Sequence, residues 1–391
     1  MRRRLNFLNI RFVQSSMTTR ILIVAGSDSG GGAGIQADIR TVTMLGGHAM
    51  TAVTAITAQN THGVTAVHPI PADMVVAQLR ACIDDIGVDA VKIGMIGSAE
   101  TAHALADVLE GVAAPIVFDP VMIATSGSVL ADADTIAAFG RLMKLATLVT
   151  PNLPELAALG GEQVVLGSGA ALLAKGGHAE GDTITDRLID HDGERARWSA
   201  PRIETPHTHG TGCTLASAIA EGLGRHLPLP QAIERARTFV RVALREAPGL
   251  GGGHGPMGHH RVRLDSDLGG ATPNQVTLPA TDHAESRAFY RALGLTPIVD
   301  DGTRYARFES PGGTTLSIEA ADEIGGRPLI FLEVSDLDAA VAAARAQGIA
   351  VADPVDQRWG WREARLTDPA GNALCLYTAG ENRRFPAWRL G

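Results

Sequence analysis

The seven residues from His207 to Cys213 carry the groups best suited to chemistry in this chain. Gly210 and Gly212 let the backbone turn tightly and leave its amides unshielded, so that Thr211 and its neighbours can offer N–H groups to an anion at a helix N-terminus. Cys213 lies in the first helical turn, where the helix dipole is expected to lower its pKa below the free value of about 8.5. The run predicts a phosphate-binding turn with a thiol base beside it. Taken alone, it is equally compatible with a plain cap on a buried helix.

Polar side chains recur where predicted strands end. These side chains are Gln59, Asp119, Asn152 with Glu155, and Lys175. Ligands bind at the carboxyl edge of an open parallel sheet. Any one of these residues alone could be a cap, but several of them beside an anion-binding helix terminus predict a ligand site.

Phosphoryl transfer is the reaction that these groups could perform. It requires a cation to neutralise charge, a carboxylate near Mg²⁺, donors around the transferred oxygens and a base for the attacking hydroxyl. Lys175 could supply the cation, and Glu155 with Asp119 the carboxylates. The amides from Gly210 to Cys213 could supply the donors, and the Cys213 thiol the base.

The elements that must position these groups alternate between strand and helix. A short apolar strand over 21–25 is followed by a glycine-rich loop and a helix over about 35–45, and further strand–helix pairs lead to a hairpin over 183–199. This alternation predicts an α/β fold, with a mainly parallel sheet and helices on both faces. The loop lacks the Lys-Ser/Thr ending of a Walker motif, which argues against that type of nucleotide site.

Over residues 20 to about 260 the chain resembles the hydroxymethylpyrimidine/phosphomethylpyrimidine kinases of the ribokinase superfamily. The motifs that carry the resemblance are, in order, Gly26 with Gly-Gly-Ala-Gly-Ile-Gln-Ala-Asp38, Thr57-Ala-Gln59-Asn60-Thr61, Lys92-Ile-Gly-Met95, Asp119-Pro-Val-Met122, Thr150-Pro-Asn-Leu-Pro-Glu155, Lys175-Gly-Gly-His178 and Thr208-His-Gly-Thr-Gly-Cys213. The resemblance implies ATP-dependent phosphorylation of 4-amino-5-hydroxymethyl-2-methylpyrimidine and then of its monophosphate, in thiamine biosynthesis. A pyridoxal kinase on the same scaffold is the alternative, because both substrates are hydroxymethyl heteroaromatics.

The resemblance also implies roles for individual residues. Cys213, Lys175, Gly210 and Gly212 would be catalytic, and Cys213 stands where most of the superfamily carries an aspartate base. The residues implied on the substrate side are Gln59, Asp38, Gly26 and Met95, and those on the side of ATP and Mg²⁺ are Asn152, Glu155, Asp119 and Thr211. The carboxamide of Gln59 can offer a donor and an acceptor to an aminopyrimidine edge. A homodimer is expected.

Composition limits the other possibilities. The chain has 391 residues, a net charge of −8 and three widely spaced cysteines, Cys82, Cys213 and Cys375. This composition disfavours a nucleic-acid or membrane partner, a disulfide framework and a zinc cluster, and it favours a reducing cytoplasm. No apolar run reaches the roughly 18 residues of a membrane span. Residues 1–19 are Arg-rich without any acid, which predicts a disordered extension or a start codon placed too early.

A second domain is predicted over 274–391, after a kinase domain over 20–262 and a polar linker over 263–273. Strand and helix patterns repeat twice, which indicates an α+β domain of two paired βαβββ units. Ser286-Arg-Ala-Phe-Tyr290 and Asp368-Pro-Ala-Gly-Asn372 resemble the vicinal oxygen chelate superfamily, which includes glyoxalase I and bleomycin-resistance proteins.

Metal-dependent members of that superfamily place one ligand on each of four strands. The corresponding positions here are Gln275, Glu319, Leu329 and Cys375. Leu329 cannot bind a metal and a thiol is a softer ligand than a carboxylate, so an incomplete centre and a metal-free small-molecule-binding module of unknown ligand are expected. The alternative is that this module, as a drug-binding resistance protein, is the main function and the kinase is degenerate.

Overall fold

The computed structural model describes residues 18–123, 127, 130–178, 181–262, 272–292, 294–310, 313–322, 328–346, 348–367 and 373–390. Two compact units contain them, one over Thr18–Val262 and one over 263–391. Most of the predicted N-terminal extension, most of the predicted linker and the motif at 368–372 lie outside the described residues.

The first unit alternates strands and helices along the chain. Its strands are β1 (Arg20–Asp28), β2 (His48–Gln59), β3 (Val64–Pro69), β4 (Ala90–Ile93), β5 (Ile116–Phe118), β6 (Leu148–Val149), β7 (Ala171–Ala174), β8 (Thr183–Asp190) and β9 (Gly193–Pro201). Its helices are α1 (Gly34–Met44), α2 (Ala72–Asp85), α3 (Ala99–Leu109), α4 (Ala133–Leu145), α5 (Leu153–Ala158), α6 (Glu162–Gly167), α7 (Thr211–Gly224) and α8 (Leu229–Arg245).

These strands form one sheet in the order β3-β2-β1-β4-β5-β6-β7-β8-β9. The six central strands, β2, β1, β4, β5, β6 and β7, pair in parallel. Strand β3 joins one edge antiparallel, and β8 and β9 join the other edge antiparallel. The apolar run Ile21–Ala25 of β1 is at most 1% exposed, as is usual for a parallel strand covered by helices on both faces. The predicted fold class is confirmed.

The second unit contains two βαβββ units. The first comprises β10 (Thr272–Ala280), α9 (His283–Ala292), β11 (Thr296–Asp300), β12 (Tyr305–Glu309) and β13 (Thr315–Ala320). The second comprises β14 (Leu329–Glu333), α10 (Leu337–Ala346), β15 (Val355–Asp356), β16 (Arg362–Thr367) and β17 (Ala373–Thr378).

The eight strands of this unit lie in the order β11-β12-β13-β10-β14-β17-β16-β15, and the antiparallel pair β10–β14 joins the two halves. Each strand therefore has an equivalent on the other side of that central pair, as the predicted duplication requires. Apolar side chains such as Phe308 and Ile318 pack with Tyr290 of α9 on one face of the sheet. We call the opposite face, turned away from α9 and α10, the inner face.

Among the residues that the structure describes, no helix combines the length and the apolar character needed to cross a membrane.

Candidate active site

The parallel strands of the first unit end at one edge of the sheet and bring the predicted polar residues there. Gln59 ends β2, Asp119 follows β5 and Lys175 follows β7. A backbone bridge joins Asn152 to Lys175 across neighbouring strand ends. Helix α7 begins at the same edge, since Gly212 lies against Lys175 and Asp119.

Two glycine loops interlock at the start of α7. Gly210 has φ of 86°, a left-handed conformation that favours glycine, and a Cβ there would overlap the carbonyl oxygen of Gly32. A Cβ on Gly32 would in turn overlap the ring of His209. At Gly212 a Cβ would lie 3.3 Å from Lys175 Nζ and 3.4 Å from Asp119 Oδ2. The Thr211 amide donates to the Thr208 carbonyl at 3.3 Å, and the glycines leave the following amides of the turn unshielded beside an ammonium group, as an anion site requires.

Lys175 and Asp119 form a buried ion pair in front of this turn. Lys175 Nζ lies 2.8 Å from Asp119 Oδ1, which also accepts a hydrogen bond of 2.9 Å from the Thr150 hydroxyl. Burial lowers the pKa of Lys175, but the carboxylates of Asp119 and Glu155 outweigh it, and the net shift is upward. Lys175 is therefore held charged, in a position to face a phosphate.

Glu155 lies on the other side of the ion pair, in the first turn of α5. Asn152 and Glu155 form a reciprocal capping box, in which the Asn152 amide donates to Glu155 Oε2 and the Glu155 amide donates to Asn152 Oδ1, each at 2.9 Å. Burial and the neighbouring Asp119 raise the pKa of Glu155 to about 7, against the opposing effect of Lys175. Asp119 thus pairs with Lys175, Glu155 feels the charge of both, and the oxygens of the two carboxylates suit Mg²⁺.

Cys213 differs from the sequence prediction in its acidity. The thiol is half-buried in the first turn of α7 and feels the charges of Lys92 and Lys175. Burial raises its pKa to about 11, although Lys92 and the Gly34 amide act in the opposite direction. The predicted lowering by the helix dipole is therefore wrong for this structure, because loss of solvation outweighs it.

Asp38 also differs from expectation, since its side chain is fully buried and cannot contact a substrate in this structure. Its Oδ2 lies 2.8 Å from Lys92 Nζ, and its Oδ1 accepts a hydrogen bond of 2.7 Å from the Ser217 hydroxyl. Lys92 is fully buried as well, and Ser217 lies one helical turn beyond Cys213. The pair Asp38–Lys92 thus forms a charged support behind the thiol rather than a pocket wall.

Gln59 is held by polar neighbours at the end of β2. Its Oε1 accepts a hydrogen bond of 3.1 Å from the Thr57 hydroxyl, and its Nε2 lies 3.2 Å from His209 Nε2. His209 Nε2 also lies 2.9 Å from Asp28 Oδ2, and this carboxylate accepts amide hydrogen bonds from Gly32 and its neighbour. The chain of contacts ties the carboxamide to the interlocked glycine loops.

Gly26 and Met95 meet at the same edge. A Cβ on Gly26 would lie 3.0 Å from Met95 Sδ, so glycine allows the thioether to approach the end of β1. The structure thus brings together the predicted residues of both the substrate and the nucleotide sides, apart from Asp38.

Three residues that sequence reasoning did not assign belong to this assembly: Lys92, Asp28 and His209. Lys92 and His209 stand inside the motifs quoted for the resemblance, and Asp28 ends a strand as Gln59 does. The rule that strand ends carry function could have found Asp28. Nothing in the local pattern indicates that Lys92 and Asp38 pair, because they are 54 residues apart.

The four ligand-like positions of the second unit do not fall in one row of its sheet. Gln275 pairs with Thr315 and Phe331, and Phe331 pairs with Cys375. Glu319 instead pairs with Pro279, and Leu329 pairs with Thr277. The register of the strands therefore separates Glu319 and Leu329 from the row that contains Gln275 and Cys375.

A ribokinase-like sheet whose ligand-binding edge holds a bare amide turn, an ammonium group and carboxylates defines a small-molecule kinase. Residues 28–258, more than half of the chain, match the family model described as phosphomethylpyrimidine kinase. The chain belongs to this family. Residues 275–377 match the model of a glyoxalase-like domain.

Individual relatives agree with the family. The chain is 46% identical over 263 residues to a hydroxymethylpyrimidine/phosphomethylpyrimidine kinase of Rhizobium meliloti (strain 1021), covering 63% of this chain and 98% of the relative. Among solved structures, an ADP complex of Bacillus subtilis pyridoxal kinase has a TM-score of 0.59 at 32% identity. The match covers 63% of this chain and 99% of the kinase. A pyridoxal kinase from Staphylococcus aureus in complex with AMP-PCP and pyridoxal has a TM-score of 0.57 at 30% identity and covers 62% and 93%.

Proposed function

We propose that the first unit transfers the γ-phosphate of ATP to the hydroxymethyl group of 4-amino-5-hydroxymethyl-2-methylpyrimidine, and then phosphorylates the resulting monophosphate, in thiamine biosynthesis. The observation that carries the proposal is the meeting of Lys175 and the bare turn at Gly212 beside Asp119. The 46% identity to a kinase with this name supports the choice of substrate.

The site residues divide the reaction between them. The amides of Thr211 to Cys213 and the ammonium group of Lys175 bind the transferred phosphate and stabilise its charge. The substrate hydroxyl attacks the γ-phosphorus, the bond to the leaving ADP oxygen breaks, and the hydroxyl proton passes to the Cys213 thiolate. Glu155 and Asp119 would hold Mg²⁺ with water, and the bound ion would neutralise phosphate charge.

Gln59 selects the pyrimidine in this proposal. A carboxamide offers one acceptor and two donors, which matches a ring nitrogen beside an exocyclic amino group. Thr57 and His209 fix its orientation. Gly26 and Met95 form the apolar wall on which the ring lies, and Asp38 acts from behind by keeping Lys92 in place.

A pyridoxal kinase is the second candidate, because pyridoxal kinases are among the solved structures of similar fold. ADP release with the aminopyrimidine alcohol, with its monophosphate and with pyridoxal, each measured on the intact chain, separates the two. We expect the pyrimidines to be preferred, with a higher kcat/KM. A preference for pyridoxal of more than about tenfold, which is 1.4 kcal/mol in transition-state binding, would contradict the proposal.

For the second unit we propose a metal-free, small-molecule-binding module. Its strand register separates Glu319 from the row of Gln275 and Cys375, and the apolar Leu329 occupies the fourth position. A drug-binding protein with a degenerate kinase is less well supported, because the kinase residues assemble around one edge. Turnover of the pyrimidine by the intact chain tests this directly, and complete inactivity would favour the drug-binding alternative.

We further propose a homodimer in the cytoplasm. Strand β3 lies at the edge of the first sheet. Val67 on β3 is 41% exposed and Ile56 on the neighbouring β2 is 50% exposed, which leaves apolar surface for a second copy. All three cysteines are free thiols, as suits a reducing compartment. Light scattering on the intact chain and on Val67→Asp tests the dimer. An unchanged mass for the variant would contradict this surface.

A further inference from the structure

The two halves of the second unit contain equivalent arginines. Ala306-Arg307-Phe308 on β12 repeats as Ala364-Arg365-Leu366 on β16. Arg307 pairs with Ser317 of β13, and Arg365 pairs with Cys375 of β17, at matching places in the sheet. Because their neighbours Phe308 and Leu366 pack towards the helices, both arginines belong to the inner face.

The two arginines differ in how their charge is balanced. Arg365 is half-exposed and lies 2.7 Å from Glu363, two residues earlier on the same strand. At Arg307 the equivalent position is Tyr305, so no carboxylate takes that place. Arg307 is nevertheless only 4% exposed. Of the two equivalent arginines, Arg307 is thus the buried one, and Tyr305 stands where Arg365 has a carboxylate.

Among the described residues, the guanidinium group of Arg307 contacts an aromatic ring instead of a carboxylate. Its guanidinium carbon lies 5.1 Å from the centre of the Trp361 ring. Its Nε is enclosed and has no hydrogen-bond partner among the described residues, whereas its two terminal nitrogens are not fully enclosed. An anion could therefore reach the terminal nitrogens, which offer the planar fork that suits two oxygens of one carboxylate or phosphate.

The carboxylates of the inner face are engaged with other arginines. Glu309 pairs with Arg384 and Arg389, and Glu333 with Arg383. Glu363 pairs with Arg365. Glu319 is exposed beside Tyr305 and forms no ion pair with Arg307 among the described residues. Five guanidinium groups thus accompany three buried carboxylates, and Arg307 is the one that forms no ion pair within the described part of the chain.

A buried arginine without a counter-charge lowers the stability of the fold unless a ligand supplies that charge. A guanidinium group stays protonated in proteins, and a buried charge without a partner destabilises the fold. Burial lowers the pKa of Arg307, and Arg383 and Arg389 add to that decrease. A polar residue kept at such a cost is typical of a site whose ligand supplies the missing charge.

We propose that Arg307 is the anchor of a ligand site on the inner face, and that the site takes a small organic molecule bearing a carboxylate or phosphate group. Trp361 lies across the guanidinium group from one side and helps to hold its plane. This inference rests on the proposed role of the second unit as a small-molecule-binding module, and it adds the charge of the ligand.

The test uses the intact chain and three probes: benzoate, inorganic phosphate and neutral benzamide. Binding is followed by titration calorimetry on the parent, on Arg307→Met and on the matched control Arg365→Met. We expect benzoate or phosphate to bind the parent and Arg365→Met, and the affinity to fall at least about tenfold in Arg307→Met, the scale of a lost hydrogen bond to a charged group. Which of the two anions binds identifies the source of the negative charge.

Thermal unfolding followed by tryptophan fluorescence gives a second readout, because three of the four tryptophans, Trp359, Trp361 and Trp388, lie in the second unit. Without ligand, Arg307→Met should unfold at a higher temperature than the parent, since an unpaired buried charge is removed. Arg365→Met should unfold at a lower temperature, since Glu363 loses its partner. A lower unfolding temperature for Arg307→Met would mean that the arginine is structural and would overturn the inference.

The outcomes distinguish the proposed anion site from the proposed binding module. If benzamide binds as well as benzoate, or if benzoate binds Arg307→Met unchanged, the module binds small molecules but the anion site is refuted. If none of the probes binds the parent, both the anion site and the evidence for a binding module fall.

Discussion

Cys213 is the residue on which the chemistry of the first unit depends most directly. Its thiol lies at the start of α7, within reach of the charges of Lys92, Lys175 and Asp119. Burial makes it a weak acid in the free protein, so only a small fraction is thiolate at neutral pH. The thiolate of Cys213 would be a strong base, but little of it is present at neutral pH. Two expectations follow, one for removal of the thiol and one for pH.

The first expectation concerns removal of the thiol. Cys213→Ala should lower kcat by roughly 10² to 10⁴, the usual scale for loss of a general base, with little change in the KM for ATP. Cys82→Ala is the matched control, because Cys82 lies on α2 and should leave turnover unchanged. Steady-state kinetics with the aminopyrimidine alcohol give the answer, and turnover within a few-fold of the parent would show that the thiol is not the base.

The second expectation concerns pH. Because burial raises the pKa of Cys213 to about 11, the thiolate fraction at the site should grow with pH throughout the neutral and mildly alkaline range. Where chemistry limits the rate, kcat should rise about tenfold per pH unit above about pH 7. Cys213→Asp, which restores the carboxylate usual in the superfamily, should show no such rise. A flat profile in the parent would exclude the thiolate as the rate-determining base.

At the scale of elements, the start of α7 is built from two loops that fit only because both are glycine-rich. Gly210 approaches the Gly32 carbonyl in a left-handed conformation, and Gly212 leaves room for Lys175. The phosphate site is therefore a property of two interlocked segments rather than of one motif.

Gly210→Ala should accordingly abolish phosphorylation and reduce stability, because a Cβ would overlap the Gly32 carbonyl. Gly140→Ala is the control: Gly140 lies within α4 with open space at its Cβ position, so alanine there should raise the free energy of unfolding by about 0.5–1 kcal/mol. Denaturant unfolding and turnover of both variants provide the comparison. Normal turnover of Gly210→Ala would show that the turn does not hold the phosphate.

Sequence patterns predicted some elements and missed others. The predicted strand over 21–25 lies within β1, Arg20–Asp28, because it is an apolar run buried on both faces. Strand β15, Val355–Asp356, has two exposed residues, and β3 is mostly exposed, so neither carries a hydrophobic pattern. Hydrophobic patterns in a sequence indicate which residues are buried against a core, and edge strands bury few residues.

The same limit applies to the site. Gln59 and Lys175 were predictable because parallel strands end at a shared edge. The pairing of Asp38 with Lys92 was not, since a buried ion pair between a helix and a strand leaves no periodic signature. The predicted direction of the Cys213 pKa shift was wrong for a related reason. The position of a residue in a helix can be predicted from local sequence, whereas its burial depends on the tertiary fold.

At the scale of the whole molecule, a kinase of the phosphomethylpyrimidine family is joined to a glyoxalase-like domain. The second domain repeats its own architecture on either side of β10 and β14, yet its halves differ at the positions that matter for a ligand. Cys375 corresponds in the repeat to Ser317, and Arg307 lacks the carboxylate that accompanies Arg365.

The metal content of the intact chain follows from this asymmetry. After purification without chelator, elemental analysis should find no stoichiometric zinc, nickel or iron, because Glu319 lies in a different row from Gln275 and Cys375 and Leu329 has no donor atom. Added Mg²⁺ should still be required for turnover by the first unit, which serves as the control for chelation. One tightly held transition-metal ion per chain would contradict the metal-free module.

The contact between Asp28 and His209 also bears on how the protein matures during translation. These residues are 181 positions apart, and the first glycine loop is completed only when the later one docks against it. A nascent chain that has emerged up to β9 therefore contains all nine strands of the first sheet but still lacks α7 and the turn that begins it. We therefore expect chains that end before α7, which begins at Thr211, to lack the ability to consume ATP.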